Sequence, residues 1–308
     1  MKTQMKKTLT WIGLSVLMMI YWIAGLFIGN AIFPSSLMDM EPAGNAAGFG
    51  ELMLFLTCAL NTGIVLYFIY NSRIKGWKLV GSVFLISFGI QYFMSQIETL
   101  WFNDSLTLPI NGIWAIVTGG FITWLLFSVT ATWITGNFVR IDEKEISSLN
   151  LFPLVKRIVF LSVVVWPLVY FLFGYFVAWQ FEDVRLLYSG TTEMGSFVAI
   201  MEGNFTSGLY SFQILRGFLW ILIGLLVLTA TKGSLIRKGV ILGLLFAIIG
   251  SSQLLLPNPY MSDVVRMAHL IETASGSFIW GFIIAWYTGV FIKLRDETQT
   301  GFNKLNLV

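Results

Sequence analysis

This chain is short of charge, of cysteine and of histidine. Only 11% of its 308 residues are Asp, Glu, Lys or Arg, whereas a soluble domain carries about 25%. With 56% hydrophobic residues, so little charge cannot cover the surface of a water-soluble body. A soluble globular class is therefore excluded and lipid is the expected solvent. The one cysteine, Cys58, excludes an intrachain disulfide and a cysteine metal cluster. The one histidine, His269, excludes a bis-histidine haem. Walker, Gly-x-Gly-x-x-Gly, Gly-x-Ser-x-Gly and His-Glu-x-x-His motifs are all missing, so none of the chemistries they carry is indicated. No cofactor and no metal is expected. The net charge of +3 calls for no nucleic-acid partner, because its placement has another cause.

What the chain does have is long apolar stretches. Eight of them, near 9–32, 51–71, 79–98, 112–137, 158–180, 211–231, 239–256 and 271–292, each approach the roughly 20 residues that a helix needs to cross the hydrocarbon core. They are continuous rather than alternating, which excludes a transmembrane barrel. The first follows Met1–Lys7 and is too long for the ~7–15-residue core of a signal peptide, so it reads as a retained helix. The fold class expected is an all-α integral membrane protein with eight transmembrane helices.

Lys and Arg give the orientation. With the N-terminus inside, sixteen of the nineteen fall in inner segments, and only Arg185, Arg216 and Arg266 fall outside. By the positive-inside rule both termini are cytoplasmic. The setting expected is a plasma membrane of the bacterial inner-membrane kind.

A repeated phrase divides the chain. Trp133-Ile134-Thr135-Gly136-Asn137-Phe138 ends one long apolar run and Trp286-Tyr287-Thr288-Gly289-Val290-Phe291 ends another, each with acids soon after, at Asp142, Glu143 and at Asp296, Glu297. Tyr21, Gly25 and Phe27 recur as Tyr170, Gly174 and Phe176, while Gly81, Phe84, Ile86 and Gln91 recur as Gly243, Phe246, Ile248 and Gln253. The expected organisation is two parallel four-helix repeats, 1–145 and 146–308, related about the membrane normal. Glycines spaced four apart, such as Gly25 and Gly29, suit close helix contact in lipid.

Polar groups inside apolar helices are costly, so they mark candidate sites. Ser87, Gln91, Ser95 and Glu98 are spaced to share one face of the third helix. Arg216 lies inside the sixth helix and either snorkels outward or meets an acid, with Glu98 and Glu272 as candidates. Arg266, His269 and Glu272 step by three along the eighth helix, and a histidine one turn from a carboxylate can relay protons. Gln91, Ser95, Glu98, Arg216, Arg266, His269 and Glu272 are thus the candidate binding residues; no catalytic residue is assigned. Glu98, Arg216, His269 and Glu272 are expected to converge in one outward-opening cavity, covered by the long outer loops Pro34–Gly50 and Phe181–Tyr210. The reading this favours is a permease for a small polar or anionic solute. A non-catalytic membrane component and an enzyme acting on a lipid-linked substrate are the alternatives. Beyond the bilayer and a small ligand, no partner is indicated, and the oligomeric state is open.

Overall fold

The computed structural model describes residues 2–36, 49–138, 146–149, 151–289 and 292–294. Eight helices within it are long and apolar enough to cross a membrane: Gln4–Ile32, Gly50–Asn71, Gly76–Trp101, Ile110–Ile134, Phe152–Gln180, Leu209–Ala230, Leu235–Leu255 and Asp263–Thr288. They are numbered helix 1 to helix 8. The shortest, helix 7, has 21 residues, about 31 Å at the α-helical rise, enough for a ~30 Å core. The chain is a multi-pass membrane protein. Arg140, Asp142 to Glu145, Gly44, Gly48, Asp296 and Glu297 lie outside the described residues.

One end of the bundle collects the basic residues. There the Lys7 ammonium sits 5.3 Å from the centre of the Tyr70 ring, Trp77 meets Phe138 edge-on at 5.1 Å, and Arg157 donates to the Tyr287 carbonyl. The short turns after helix 2 and helix 6 bond to each other reciprocally. Arg73 N donates to Ala230 O, and Lys232 N donates to Asn71 O, both at 2.9 Å. Ser72 and Thr231 form the bridge between them. A short antiparallel pair, β1 (Ile146–Leu149) with β2 (Ile292–Leu294), follows helix 4 and helix 8.

Without water to drive apolar faces together, helices in lipid associate where backbones approach closely. Helix 1 lies on helix 4 in this way. A Cβ built on Gly25 would stand 2.5 Å from Gly119 O, and one on Gly29 would collide with Ala115 O. Helix 7 meets helix 8 likewise, with a Cβ on Gly281 falling 2.8 Å from the Gly243 backbone. Polar contacts also tie the first four helices to the last four. Helix 2 reaches helix 7 through Thr57, which donates to Ser252 O at 3.0 Å, and through Asn61, which accepts from Ser252 Oγ at 2.9 Å. Helix 3 reaches helix 6 through Glu98 and Arg216.

Two helices contain a π turn, Gly89–Phe93 in helix 3 and Leu161–Val165 in helix 5. Such a turn holds one extra residue and rotates everything after it. This corrects the single-face reading of helix 3. Ser87 and Gln91 are buried, with Gln91 against helix 4, while Ser95 and Glu98 turn toward helices 5, 6 and 8.

The glycine contacts predict that Gly25→Leu lowers stability by about 1–3 kcal/mol, the usual cost of overpacking. Gly81→Ala, whose added Cβ meets nothing within 4 Å, leaves the melting temperature in detergent unchanged. Thermal unfolding of the two variants side by side tests this.

Candidate functional site

The site is built on an ion pair whose arginine is buried. Arg216 is the eighth residue of helix 6, about 10 Å from its start by helical rise. A lone guanidinium at that depth is expensive, and Glu98 of helix 3 meets it with a two-point fork. Nη1 lies 2.5 Å from Oε1, and Nη2 lies 2.7 Å from Oε2. Matching planar groups make this the strongest pairing geometry the two side chains have. The Arg216 side chain is 5% exposed and that of Glu98 is 31% exposed. Tyr170 Oη donates to Glu98 Oε1 at 3.1 Å. Gln213 Oε1 accepts from Arg216 Nη1 at 3.2 Å and from Trp166 Nε1 at 3.1 Å. The rings of Trp166, Tyr170 and Phe212 stand 5.9, 5.7 and 5.8 Å from the guanidinium carbon, within cation–π range.

A second pair lies on helix 8. His269 Nδ1 is 2.8 Å from Glu272 Oε2, one turn along the helix. A carboxylate only accepts, so the neutral imidazole carries its proton on Nδ1 and leaves Nε2 as a bare acceptor. Nε2 is buried and has no protein partner among the described residues. Tyr188 stands edge-on to the imidazole at 5.7 Å. Its phenol is pushed up in pKa by burial first, then by Glu98 and Glu272, so both carboxylates are felt at one point and the phenol stays protonated. Gly174 of helix 5 leaves room for the acid, since a Cβ there would sit 3.6 Å from Glu272 Oε1.

Glu98, Arg216, His269 and Glu272 all line one half-open cavity of about 510 Å³. Its walls come from helices 3, 5, 6, 7 and 8 and are largely apolar and aromatic, including Trp101, Trp166, Tyr170, Phe173, Trp179 and Trp220. The segment between helices 5 and 6 covers it. That segment forms two short helices, Glu182–Ser189 and Phe197–Thr206, from which Val184, Tyr188, Ile200 and Met201 reach the cavity. Arg185 fixes the cover by donating to the carbonyls of Trp179, Gln180 and Thr192. The other long connection, Pro34–Gly50, falls mostly outside the described residues.

Of the remaining candidates, Ser95 lines the cavity and donates to the Gln91 carbonyl of its own helix. Gln91 and Arg266 do not line it. The Gln91 side chain accepts from Trp124 Nε1 at 2.8 Å, a packing role set by the π turn. Arg266 is buried, paired with Asp263 and bonded to the carbonyls of Leu254 and Leu255 at 3.3 and 3.2 Å, where it closes the C-terminal turn of helix 7. Spacing alone does not point to Tyr170, Gln213, Trp166 or Tyr188 as site residues. Gln213 was detectable in principle, as a polar residue one turn before Arg216 in an apolar helix; Tyr188 lies in a connecting segment and carries no periodic signal. No group of three His, Cys, Asp or Glu side chains assembles as a metal set among the described residues. The arrangement can bind a small molecule in an apolar enclosure, hold it by charge and hydrogen bonds, and move a proton at His269.

The class these features define is a polytopic membrane protein with a polar site inside its helical bundle. The chain matches no protein family, no curated protein and no solved structure.

Breaking one side of a buried ion pair costs about 3–5 kcal/mol because the other charge is left uncompensated. Glu98→Gln and Arg216→Gln are each expected to destabilise toward the lower end of that range, since Glu98 is 31% exposed. The double variant should recover a large part of the loss. A double-mutant cycle by thermal unfolding in detergent measures the coupling, and additive losses would remove the pair as the tie between helices 3 and 6.

Proposed function

We propose that this protein is a permease for a small polar solute, with the cavity as its binding site. The observation that carries the reading is the enclosure of two ionisable pairs, Glu98–Arg216 and His269–Glu272, in one cavity within the membrane-spanning helices. Intramembrane ionisable groups that face a bundle interior mark ligand and ion routes. Of the polar or anionic solutes that the polar residues within the helices suggest, the polar ones fit better. Both terminal nitrogens of Arg216 already hold Glu98, so the guanidinium offers no fork to an incoming anion. The binding residues proposed are Ser95, Glu98, Arg216, His269 and Glu272.

The proposed architecture is two parallel four-helix repeats, 1–145 and 146–308. The reciprocal bonds between the turns support it, because superposing Asn71, Ser72 and Arg73 on Ala230, Thr231 and Lys232 exchanges the Arg73 N to Ala230 O bond with the Lys232 N to Asn71 O bond. A two-fold axis through that bridge would exchange the helix 2–helix 7 contact with the helix 6–helix 3 contact. The charge asymmetry supports cytoplasmic termini and a cavity that opens to the outside of a bacterial plasma membrane.

A second reading has its own observation. His269 beside Glu272, with Nε2 unpartnered, is also the arrangement of a general base oriented by a carboxylate, as an enzyme acting on a lipid-linked substrate would require.

Reconstitution in sealed vesicles separates these readings. Vesicles shrunk by an osmotic step are expected to reswell when a panel of small polar solutes is added, as read by light scattering. Gly174→Phe, which fills the space beside Glu272, should slow reswelling about tenfold or more, the effect of losing at least 1.4 kcal/mol of binding. Chemical conversion of an added lipid-linked substrate without reswelling would replace the permease by the enzyme. Neither activity, together with a co-purifying subunit, would leave a non-catalytic component.

A further inference from the structure

We propose that the cavity recognises an organic ammonium ion, a protonated amine on an apolar or aromatic body, and that this cation and a proton on His269 exclude each other. The inference deepens the permease reading and rests on its cavity, not on transport itself.

Charge balance is the first argument. Counting both carboxylates as ionised, the cavity wall holds Glu98 and Glu272 against Arg216 alone when His269 is neutral. A single uncompensated negative charge in an apolar enclosure is costly, and such a site favours one further positive charge. A proton on His269 can supply it, and so can a bound cation. An anion would deepen the imbalance.

Hydrogen bonding is the second. His269 donates from Nδ1 to Glu272, so Nε2 is an acceptor, and it lacks a donor among the described residues. An ammonium N–H is a donor of the required kind. Once His269 is protonated, Nε2 becomes a donor too, and the site turns away the same ligand. The wall material is the third argument. Trp101, Trp166, Trp179, Tyr188 and Trp220 line the cavity beside the carboxylates, and aromatic faces attract cations and bury apolar bodies. Arg216 Nε and Trp220 Nε1, which also lack partners among the described residues, are donors, so a hydroxyl on the amine would be accepted as well.

The ionisable groups that line the cavity with the His269–Glu272 pair are Glu98 from helix 3, Tyr170 and Tyr175 from helix 5, Tyr188 from the covering segment and Arg216 from helix 6; helix 7 contributes the uncharged Gln253. Among them His269 is the residue type whose charge changes near neutral pH. Binding is therefore expected to weaken as the medium becomes acidic.

The test uses the full chain in detergent and three probes of similar shape: 2-phenylethylamine, 2-phenylethanol and 3-phenylpropionate. Saturable quenching of tryptophan fluorescence is expected with the amine at least about tenfold more tightly than with either other probe, a difference of 1.4 kcal/mol. Affinity for the amine should rise between about pH 5.5 and about pH 8, a range over which an alkyl ammonium itself stays charged. Glu272→Gln should lose about tenfold in affinity, the same 1.4 kcal/mol, and His269→Asn should bind with a flat pH profile. Carboxylate binding equal to or tighter than amine binding overturns the inference, as does a flat profile in the unaltered protein. Should Glu272→Gln fail to fold, the three probes and the pH series on the unaltered chain decide it. Amine binding without flux leaves this inference standing and removes the permease; flux of neutral polar solutes without amine binding does the reverse.

Discussion

The membrane allows Arg216 only because Glu98 meets it. A guanidinium in hydrocarbon costs several kcal/mol, and the four-atom fork with Glu98 is what makes its position on helix 6 tenable. That constraint propagates. Glu98 must face helix 6 rather than helix 4, and the π turn at Gly89–Phe93 achieves this by rotating the last part of helix 3. Tyr170 must stand where its hydroxyl reaches Glu98, which fixes helix 5 after its own π turn at Leu161–Val165. Gln213 then joins Arg216 to Trp166. Both π turns come immediately before the residues that build the site, so the irregularity in each helix can be traced to the demand of one charge pair.

Close packing and open space are distributed with the same economy. Gly25 and Gly29 bring helix 1 against helix 4 until backbone meets backbone. Gly174 occupies the matching place in the repeated phrase, yet nothing fills its surface except Glu272 at 3.6 Å. The same small residue serves contact in one setting and volume in the other. Helix 8 packs tightly on helix 7 through Gly243 and Gly281, which leaves its opposite side, with His269, Glu272 and Gly276, to face helix 5 across the cavity.

Hydropathy alone made the eight helices legible, because crossing lipid requires long apolar runs and little else. All eight predicted stretches form helices, with ends displaced where polar turns extend them, as at Phe152. The charged members of the site were legible for the same reason: an ionisable residue in lipid is conspicuous. The uncharged members were not. Trp166 and Tyr170 are indistinguishable in sequence from the chain's many other aromatic residues, and only three-dimensional contact separates a site tyrosine from a lipid-facing one. Helical periodicity failed at Gln91, because it assumes 3.6 residues per turn and the π turn breaks that count. It failed at Arg266 as well, where regular spacing with His269 concealed a bond to the end of helix 7.

The proposed two-fold relation sharpens where the site arose. The offset that pairs Ser72 with Thr231 also carries Thr57 onto Arg216. Each of these residues ties its helix to the other half: Thr57 to Ser252 of helix 7, and Arg216 to Glu98 of helix 3. One tie is made of neutral hydrogen bonds among buried groups, Thr57, Asn61 and Ser252. The other is ionic and stands beside the 510 Å³ cavity. A neutral contact tolerates an unmade hydrogen bond, as at the buried Asn61 Nδ2, which has no partner among the described residues, because that costs less than an unpaired charge. An ionic contact is less easily sealed in lipid, because its field reaches beyond its hydrogen bonds. Further polar groups are then favoured nearby, and Tyr170, Gln213, His269 and Glu272 are the groups found there. The cavity thus lies beside the ionic tie between helices 3 and 6, the tie whose charge most favours further polar groups around it.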